Sequence, residues 1–299
     1  MNTFTFIVNP TAGKGAAARL VEPLRAELER RAVEYELITT TRPGHATAAA
    51  RLSKGSVVVA VGGDGTLNEV ANGLSGPNKT LGIIPAGSGN DFIKSVGIPP
   101  KFLPALDILL RGERRSVDLG TVSCGPPEGN SPPRYFVNGV GIGFDAAVAA
   151  RTREIKFLGG NALYIVAVLQ TLGKYVPPRF TLSIDHETRV SNNLLIAVGN
   201  GRCAGGGFYL TPDAIVDDGL LDICMVGVKT IPQILSLMPK VMKGKHHGVP
   251  GVTFLREKGL TVSAEEPFFV HADGEIVGDG VHDVQVGILP GRLLIICGR

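Results

Sequence analysis

The chain has no tryptophan, and aromatic residues make up only 6% of its 299 positions. Cysteine is scarce: Cys124, Cys203, Cys224 and Cys297 are scattered without paired spacing, which excludes a zinc-type cysteine motif and points to a reducing, cytoplasmic setting. Long hydrophobic runs are also missing. Val57–Val61 and Leu163–Leu169 fall well short of the ~20 apolar residues that span a bilayer, so any membrane contact is expected to be peripheral. No basic segment or cleavage pattern precedes the apolar stretch Phe4–Val8, so no signal peptide is expected. Neither sign of charge dominates: 30 basic against 27 acidic residues give +3, which permits contact with phosphates or acidic lipid heads without requiring it. Nucleic acid is not an expected partner. With 44% hydrophobic residues, the composition excludes disorder. What the chain has in excess is glycine, 40 residues or about 13% against the usual ~7%. These glycines follow no three-residue period, so a collagen-like chain is excluded.

Residues 1–120 alternate strand and helix patterns. Strands are expected at Phe4–Val8, Glu34–Thr39, Ser56–Val61 and Leu81–Ile84. Helices are expected at Ala16–Arg31, His45–Ser53, Thr66–Leu74 and Ala105–Arg111. Such alternation predicts a mostly parallel sheet covered by helices, a three-layer α/β/α domain. From about residue 121 to 291 the pattern becomes mostly strands: Tyr135–Gly139, Phe180–Ile184, Asn193–Val198, Leu220–Val226, Leu260–Ser263, Phe268–His271 and Val284–Leu289. Helical stretches interrupt them near Asn161–Leu172 and Ile231–Lys243, and Cys124–Pro133 reads as an exposed hairpin loop. A β-sandwich-like second domain follows from this. Residues 292–299 are apolar enough to form a strand that returns to the first domain.

Three glycine loops each follow a predicted strand. The sharpest is Gly62-Gly63-Asp64-Gly65 between a β-branched strand and a helix beginning near Thr66. Glycines remove the Cβ atoms that keep an anion from the backbone, and a helix N-terminus adds partial positive charge at the same point. The competing explanation is a tight turn capped by Asp64 or Thr66. Asn9-Pro10-Thr11-Ala12-Gly13-Lys14-Gly15 follows the first strand and is not a Walker A loop, since Val8 stands where that motif needs glycine. Gly13-x-Gly15-x-x-Ala18 fits a loose dinucleotide fingerprint, but Thr39-Thr40-Thr41 occupies the place of the ribose-binding acid. The third loop, Gly87-Ser88-Gly89-Asn90-Asp91, again follows a strand and opens what reads as a helix. All three could line one crevice.

Together with Val117-Asp-Leu-Gly120, Asp217-Asp-Gly-Leu-Leu-Asp222 and Asp273-Gly-Glu275, these loops resemble the diacylglycerol kinase catalytic family, specifically bacterial lipid kinases related to sphingosine and ceramide kinases. Gly-Gly-Asp-Gly-Thr is shared with NAD kinases and phosphofructokinases. Its continuation into Leu67-Asn68-Glu69, followed by Pro85-Ala-Gly-Ser-Gly-Asn-Asp-Phe92, is far more specific. The resemblance implies two domains with ATP in the cleft between them. Asn9, Pro10, Thr11, Ala12, Gly13, Thr40, Gly63, Asp64, Gly65, Thr66, Leu67, Asn68, Glu69 and Ser88 would bind the nucleotide, and Asp64 would work with Mg²⁺ and the phosphates. Asn68 and Glu69 could equally be ordinary helix residues.

Phosphoryl transfer to a hydroxyl needs a group to accept its proton. Read alone, Asp273-Gly274 is a hairpin turn with Glu275 beside it. The resemblance makes Glu275 the general base, with Asp273 supporting it or approaching a metal. By resemblance also, the Asp218 carboxylate and the carbonyls of Ile215 and Leu220 would hold a structural Mg²⁺. His271 reads as structural, and the adjacent His246 and His247 are not expected to share a metal. Lys240–His247 forms a basic patch that could touch anionic head groups. The resemblance implies an ATP- and Mg²⁺-dependent lipid kinase, diacylglycerol being one acceptor; a homodimer is left open. The rivals are a kinase of a soluble substrate, like NAD kinase, and a nucleotide-binding module without catalysis.

Overall fold

A computed structural model describes the backbone of residues 3–74, 79–125, 132–152, 160–185 and 187–298, so 126–131 of the expected hairpin loop lie outside the described residues. The chain divides into two compact units, Met1–Asp118 with Gly291–Arg299, and Leu119–Pro290.

In the first unit, β1 (Phe4–Val8), α1 (Ala12–Arg19), α2 (Val21–Arg30), β2 (Tyr35–Thr39), α3 (His45–Leu52), β3 (Val57–Gly62), α4 (Asp64–Gly73), β4 (Thr80–Pro85) and α5 (Phe102–Arg111) follow in order, and β5 (Arg114–Cys124) leads out. The strands β4, β3, β1 and β2 lie side by side and parallel. All residues of β1, β3 and β4 are buried, which is why their sequences read as unbroken apolar runs rather than alternating ones. The expected helix Ala16–Arg31 divides into α1 and α2. At the start of α1, Gly13, Lys14 and Gly15 are all left-handed (φ 58°, 55° and 84°), so that stretch is loop-like in conformation. Likewise the third glycine loop opens onto a single 3₁₀ turn, Phe92–Lys94, rather than a full helix.

The second unit continues with β6 (Arg134–Phe136), β7 (Gly139–Gly143), α6 (Phe144–Thr152), α7 (Gly160–Leu172), β8 (Arg179–Ile184), β9 (Glu187–Gly199), β10 (Leu221–Gly227), α8 (Ile231–Met242), β11 (Val252–Glu257), β12 (Gly259–Ala272) and β13 (Glu275–Ile296). Its strand pairs are antiparallel. The long strands β9 and β12 each serve two neighbours. Residues 187–192 of β9 and 261–263 of β12 flank β8, while 195–199 and 270–272 flank β7. This circuit encloses a core that includes Phe136, Ile142, Phe180, Ile196, Phe268 and Val270. The fully buried rings of Phe180 and Phe268 meet edge to face, with centroids 5.3 Å apart. The register of β12 shifts between Ser263 and Phe268, which explains why the sequence reads there as two strands. On the other side of the sheet, α6, α7 and α8 share a second core of Phe144, Val148, Ala167, Val168, Leu194 and Ile234. Helix α6 was not expected: it follows Gly139–Gly143 without a polar start signal.

The last residues of β13 return to the first unit, pairing parallel with β4 through Leu294↔Thr80 and Ile295↔Leu81. There the buried Asp118 accepts a hydrogen bond from the Gly291 amide at 2.7 Å, so the Val-Asp-Leu-Gly motif has a structural task at this junction.

Candidate active site

In the first unit the three glycine loops meet. A Cβ on Gly13 would fall 2.2 Å from the Ala86 carbonyl oxygen, and one on Gly87 would fall 2.4 Å from the Gly63 Cα. The loops can therefore approach this closely only because these positions carry no side chain. Side chains then lock the arrangement. The Asn9 amide donates to the Thr66 hydroxyl at 3.1 Å, while its carbonyl oxygen accepts from the Thr11 hydroxyl and amide (2.8 and 3.2 Å). Asn90, itself left-handed at φ 49°, clamps the Gly87 peptide by accepting from its N–H and donating to its C=O (3.0 and 2.8 Å). Among the described residues no side-chain hydrogen bond caps the start of α4, and a helix N-terminus carries partial positive charge.

The Asp64 Oδ1 accepts from the Asp91 and Phe92 amides at 2.8 and 3.3 Å. It thus ties the second loop to the third rather than capping α4. Glu69 accepts from the Ala46 amide at 3.0 Å, and its carbonyl accepts from the Thr47 hydroxyl, so it caps the start of α3. The side chains of Thr66, Leu67 and Asn68 are buried, and Thr40 is buried after β2 with its amide bonded to Val8. Pro10, Ala12 and Gly13 are half-buried, whereas Thr11 and Ser88 are exposed.

The second unit builds a different constellation around the β12–β13 hairpin. Asp273 and Gly274 are both left-handed (φ 48° and 81°) and Ala272 pairs with Glu275, a two-residue turn that suits the twist of its strands. The hairpin reading and the functional reading thus coincide. Both Asp273 oxygens are engaged: Oδ1 accepts from the Asn138 and Gly139 amides at 2.9 Å each, and Oδ2 from the Val137 amide at 2.8 Å. Asp273 accordingly holds the 137–139 segment against the turn, a positioning role. The Asn200 side chain donates to Val137 and the Asn138 side chain to Cys203, which fixes the segment that Asp273 grips. Glu275 pairs with Arg134 at a half-exposed position.

Sequence reasoning missed a buried pair beside this turn. His271 Nε2 lies 2.9 Å from Asp145 Oδ2, and the Gly274 amide approaches His271 Nδ1 at 3.4 Å, so Nδ1 accepts and Nε2–H donates. Gly141, opposite His271 in the β7–β12 ladder, makes room: a Cβ there would sit 2.3 Å from Nε2 and 2.4 Å from Oδ2. The available signal was the glycine at 141, whose neighbours lie far away in sequence. Asp145 also lines an apolar cavity of about 70 Å³ with Phe144, Val168, Leu194, Leu237 and Met238. That is several times the ~10–15 Å³ that holds one water.

At the expected structural metal site the Asp218 carboxylate has partners within the protein. Asp218 Oδ1 accepts from the Leu220 amide at 3.0 Å and Oδ2 pairs with Arg256, so a guanidinium already serves as its cation. Ile215 presents an exposed side chain. No cluster of three or more His, Cys, Asp or Glu side chains suited to a metal occurs among the described residues. Burial holds the neighbouring Asp222 carboxyl above the usual range, with Arg256 opposing that shift. His246 is buried with its basicity lowered by burial, whereas His247 is exposed, stacks on Phe254 and pairs with Asp213 at 2.8 Å.

A two-unit chain with converged glycine loops on a parallel sheet and a carboxylate hairpin on an antiparallel one defines a class, and comparison agrees. Residues 3–122 match the diacylglycerol kinase catalytic domain, and 138–297 match the YegS C-terminal NAD kinase beta sandwich-like domain. The chain belongs to the bacterial diacylglycerol kinase family of lipid kinases. It is 34% identical over 277 residues to a diacylglycerol kinase of Mycobacterium tuberculosis, covering 91% of this chain and 88% of that one. Identity to a diacylglycerol kinase of Staphylococcus saprophyticus is 30% over 294 residues, covering 96% and 90%. A solved Bacillus anthracis structure, provisionally described as a diacylglycerol kinase, superposes with a TM-score of 0.77 at 26% identity, covering 99% of this chain and 95% of that one. Among the described residues no helix is long and apolar enough to cross a membrane.

Proposed function

We propose that the protein transfers the γ-phosphoryl group of ATP to a hydroxyl of a lipid such as diacylglycerol. The apolar cavity carries this reading: among the described residues that line it, Asp145 is the only charged one and the rest are apolar. A polar nucleotide acceptor, as in an NAD kinase, would gain nothing from such a wall, whereas an acyl chain gains about 0.8 kcal/mol per buried CH₂. Asp145 and His271 stand where the lipid's polar end would meet its chain.

In the first unit, a phosphate chain would lie against the backbone of Asn9–Gly13 and Gly63–Thr66, where missing side chains leave space and the α4 amides donate. Ser88, on the exposed rim of the third loop, and Thr40, after β2, complete the nucleotide's surroundings. Leu67, Asn68 and Glu69 contribute by holding α4 and α3 rather than by side-chain contact. Mg²⁺ bound with the nucleotide supplies charge neutralisation, with Asp64 as the candidate nearby carboxylate. In the second unit, Glu275 accepts the proton of the lipid hydroxyl as its oxygen bonds to the γ-phosphorus and the bond to ADP breaks. Arg134 orients that carboxylate. A three-layer α/β/α first unit, a sandwich-like second unit and a peripheral encounter with membranes belong to the same reading.

Radiolabelled ATP incubated with total membrane lipid, and separately with NAD, tests it. Label should enter an organic-phase lipid; label only in NADP, or in nothing, would overturn the proposal.

A further inference from the structure

Helix α8 has a third face that neither the fold nor the proposed chemistry uses. Its buried side, Ile234, Leu237 and Val241, lines the apolar cavity. A second side exposes Ile231, Leu235 and Met242, at 49%, 44% and 37% of their full surface. Spacings of four and seven place these three residues on one stripe. On the far edge of the helix's exposed half, beyond Pro232 and Pro239 and roughly 150° around from that stripe, lies a polar side bearing Gln233, Ser236 and Lys240, which with Lys229 line a hollow of about 330 Å³. Lys243 and Lys245 follow immediately, and neither they nor Lys240 form an ion pair among the described residues. Val228, 59% exposed, extends the apolar edge ahead of the helix.

An exposed apolar stripe costs free energy in water, and here the same exposed half of the helix carries lysines that form no ion pair among the described residues. Lysines of this kind bury their stems at an interface while the ammonium reaches anionic head groups. We propose that this face of α8 docks on an anionic lipid bilayer: Ile231, Leu235 and Met242 enter the head-group boundary, and Lys240 and Lys243 bind lipid phosphates. The inference rests on the lipid-kinase reading for its purpose, since the opposite face of the same helix walls the proposed acyl cavity. A protein partner would need carboxylates matched to these lysines and is an outcome of the test.

The test is vesicle co-sedimentation of the full chain, without ATP, using phosphatidylcholine vesicles with or without phosphatidylglycerol. The wild type should bind anionic vesicles, bind neutral ones weakly, and lose affinity as salt rises. At ~1 kcal/mol per lysine, K240Q/K243Q should weaken anionic binding roughly thirty-fold. L235E should weaken it at least as much, with unchanged thermal melting because the position is exposed. Equal vesicle binding by wild type and both variants would overturn the proposal, as would failure of the wild type to bind anionic vesicles at all. Phosphorylation of a dispersed short-chain diacylglycerol should be unchanged in the variants. Loss of vesicle binding with no lipid phosphorylated by any of the proteins would sustain the docking face and sink the kinase reading instead.

Discussion

The two units build their sites in opposite ways. The first uses backbone: its loops converge because Gly13, Gly63 and Gly87 have nothing beyond Cα, and the side chains of Asn9, Asp64 and Asn90 help to fix that backbone. The second uses side chains brought together across strands: Arg134 with Glu275, Asp145 with His271, and Asp273 with the segment 137–139. A backbone site is indifferent to which polar residue stands nearby but intolerant of a single added carbon. A side-chain site tolerates changes of size and fails when one functional group is lost.

This contrast can be broken at four positions. The largest effect is expected at Glu275. Removing a general base typically costs 10²–10⁴-fold, so E275Q should lower kcat by about that factor with near-normal melting, measured by ATP turnover on the lipid acceptor. Near-wild-type kcat would remove Glu275 from the chemistry. Next is Gly87→Ala, a single methyl placed 2.4 Å from the Gly63 Cα. Nucleotide affinity by calorimetry should fall at least ten-fold, since the two loops must separate. Unchanged affinity would mean that the converged loops do not hold the phosphates.

Asp273→Ala comes third. It deprives three backbone amides of their acceptor, and hydrogen bonds to charged groups contribute ~1.5–3 kcal/mol each, partly recovered by water. A loss of about 2–4 kcal/mol in denaturant unfolding is expected, with turnover reduced because Glu275 loses its support. Full stability would contradict the positioning role. The smallest effect is Glu69→Ala: losing a cap costs ~1 kcal/mol, read in the melting of the first unit, with nucleotide affinity little changed. A large loss of affinity would restore Glu69 to the nucleotide site.

The same contrast explains what could be read in advance. The parallel sheet was legible because β1, β3 and β4 are buried on both faces and carry β-branched or aliphatic runs, with glycine punctuation at their ends. The glycine loops were legible as candidates, but the commitments of Asp64 and Glu69 were not, since each bonds to a segment more than twenty residues away. In the second unit, Glu275 stood out only through resemblance. The Asp145–His271 pair joins positions 126 residues apart, and no local pattern announces it. Gly141 in that half lies against Asp145 and His271, so its close approach is to the protein's own side chains. The Asp218–Arg256 pair was hidden for a related reason: Arg256 arrives from β11, a strand the sequence did not reveal.

The return of β13 to β4 bears on biosynthesis. The first unit includes Gly291–Arg299, which emerge from the ribosome about 170 residues after Asp118. At ~5–20 residues per second, the β4 edge waits roughly ten seconds or more for its partner strand. During that interval an unpaired parallel edge is open to other chains, so the unit translated first is the one that finishes last.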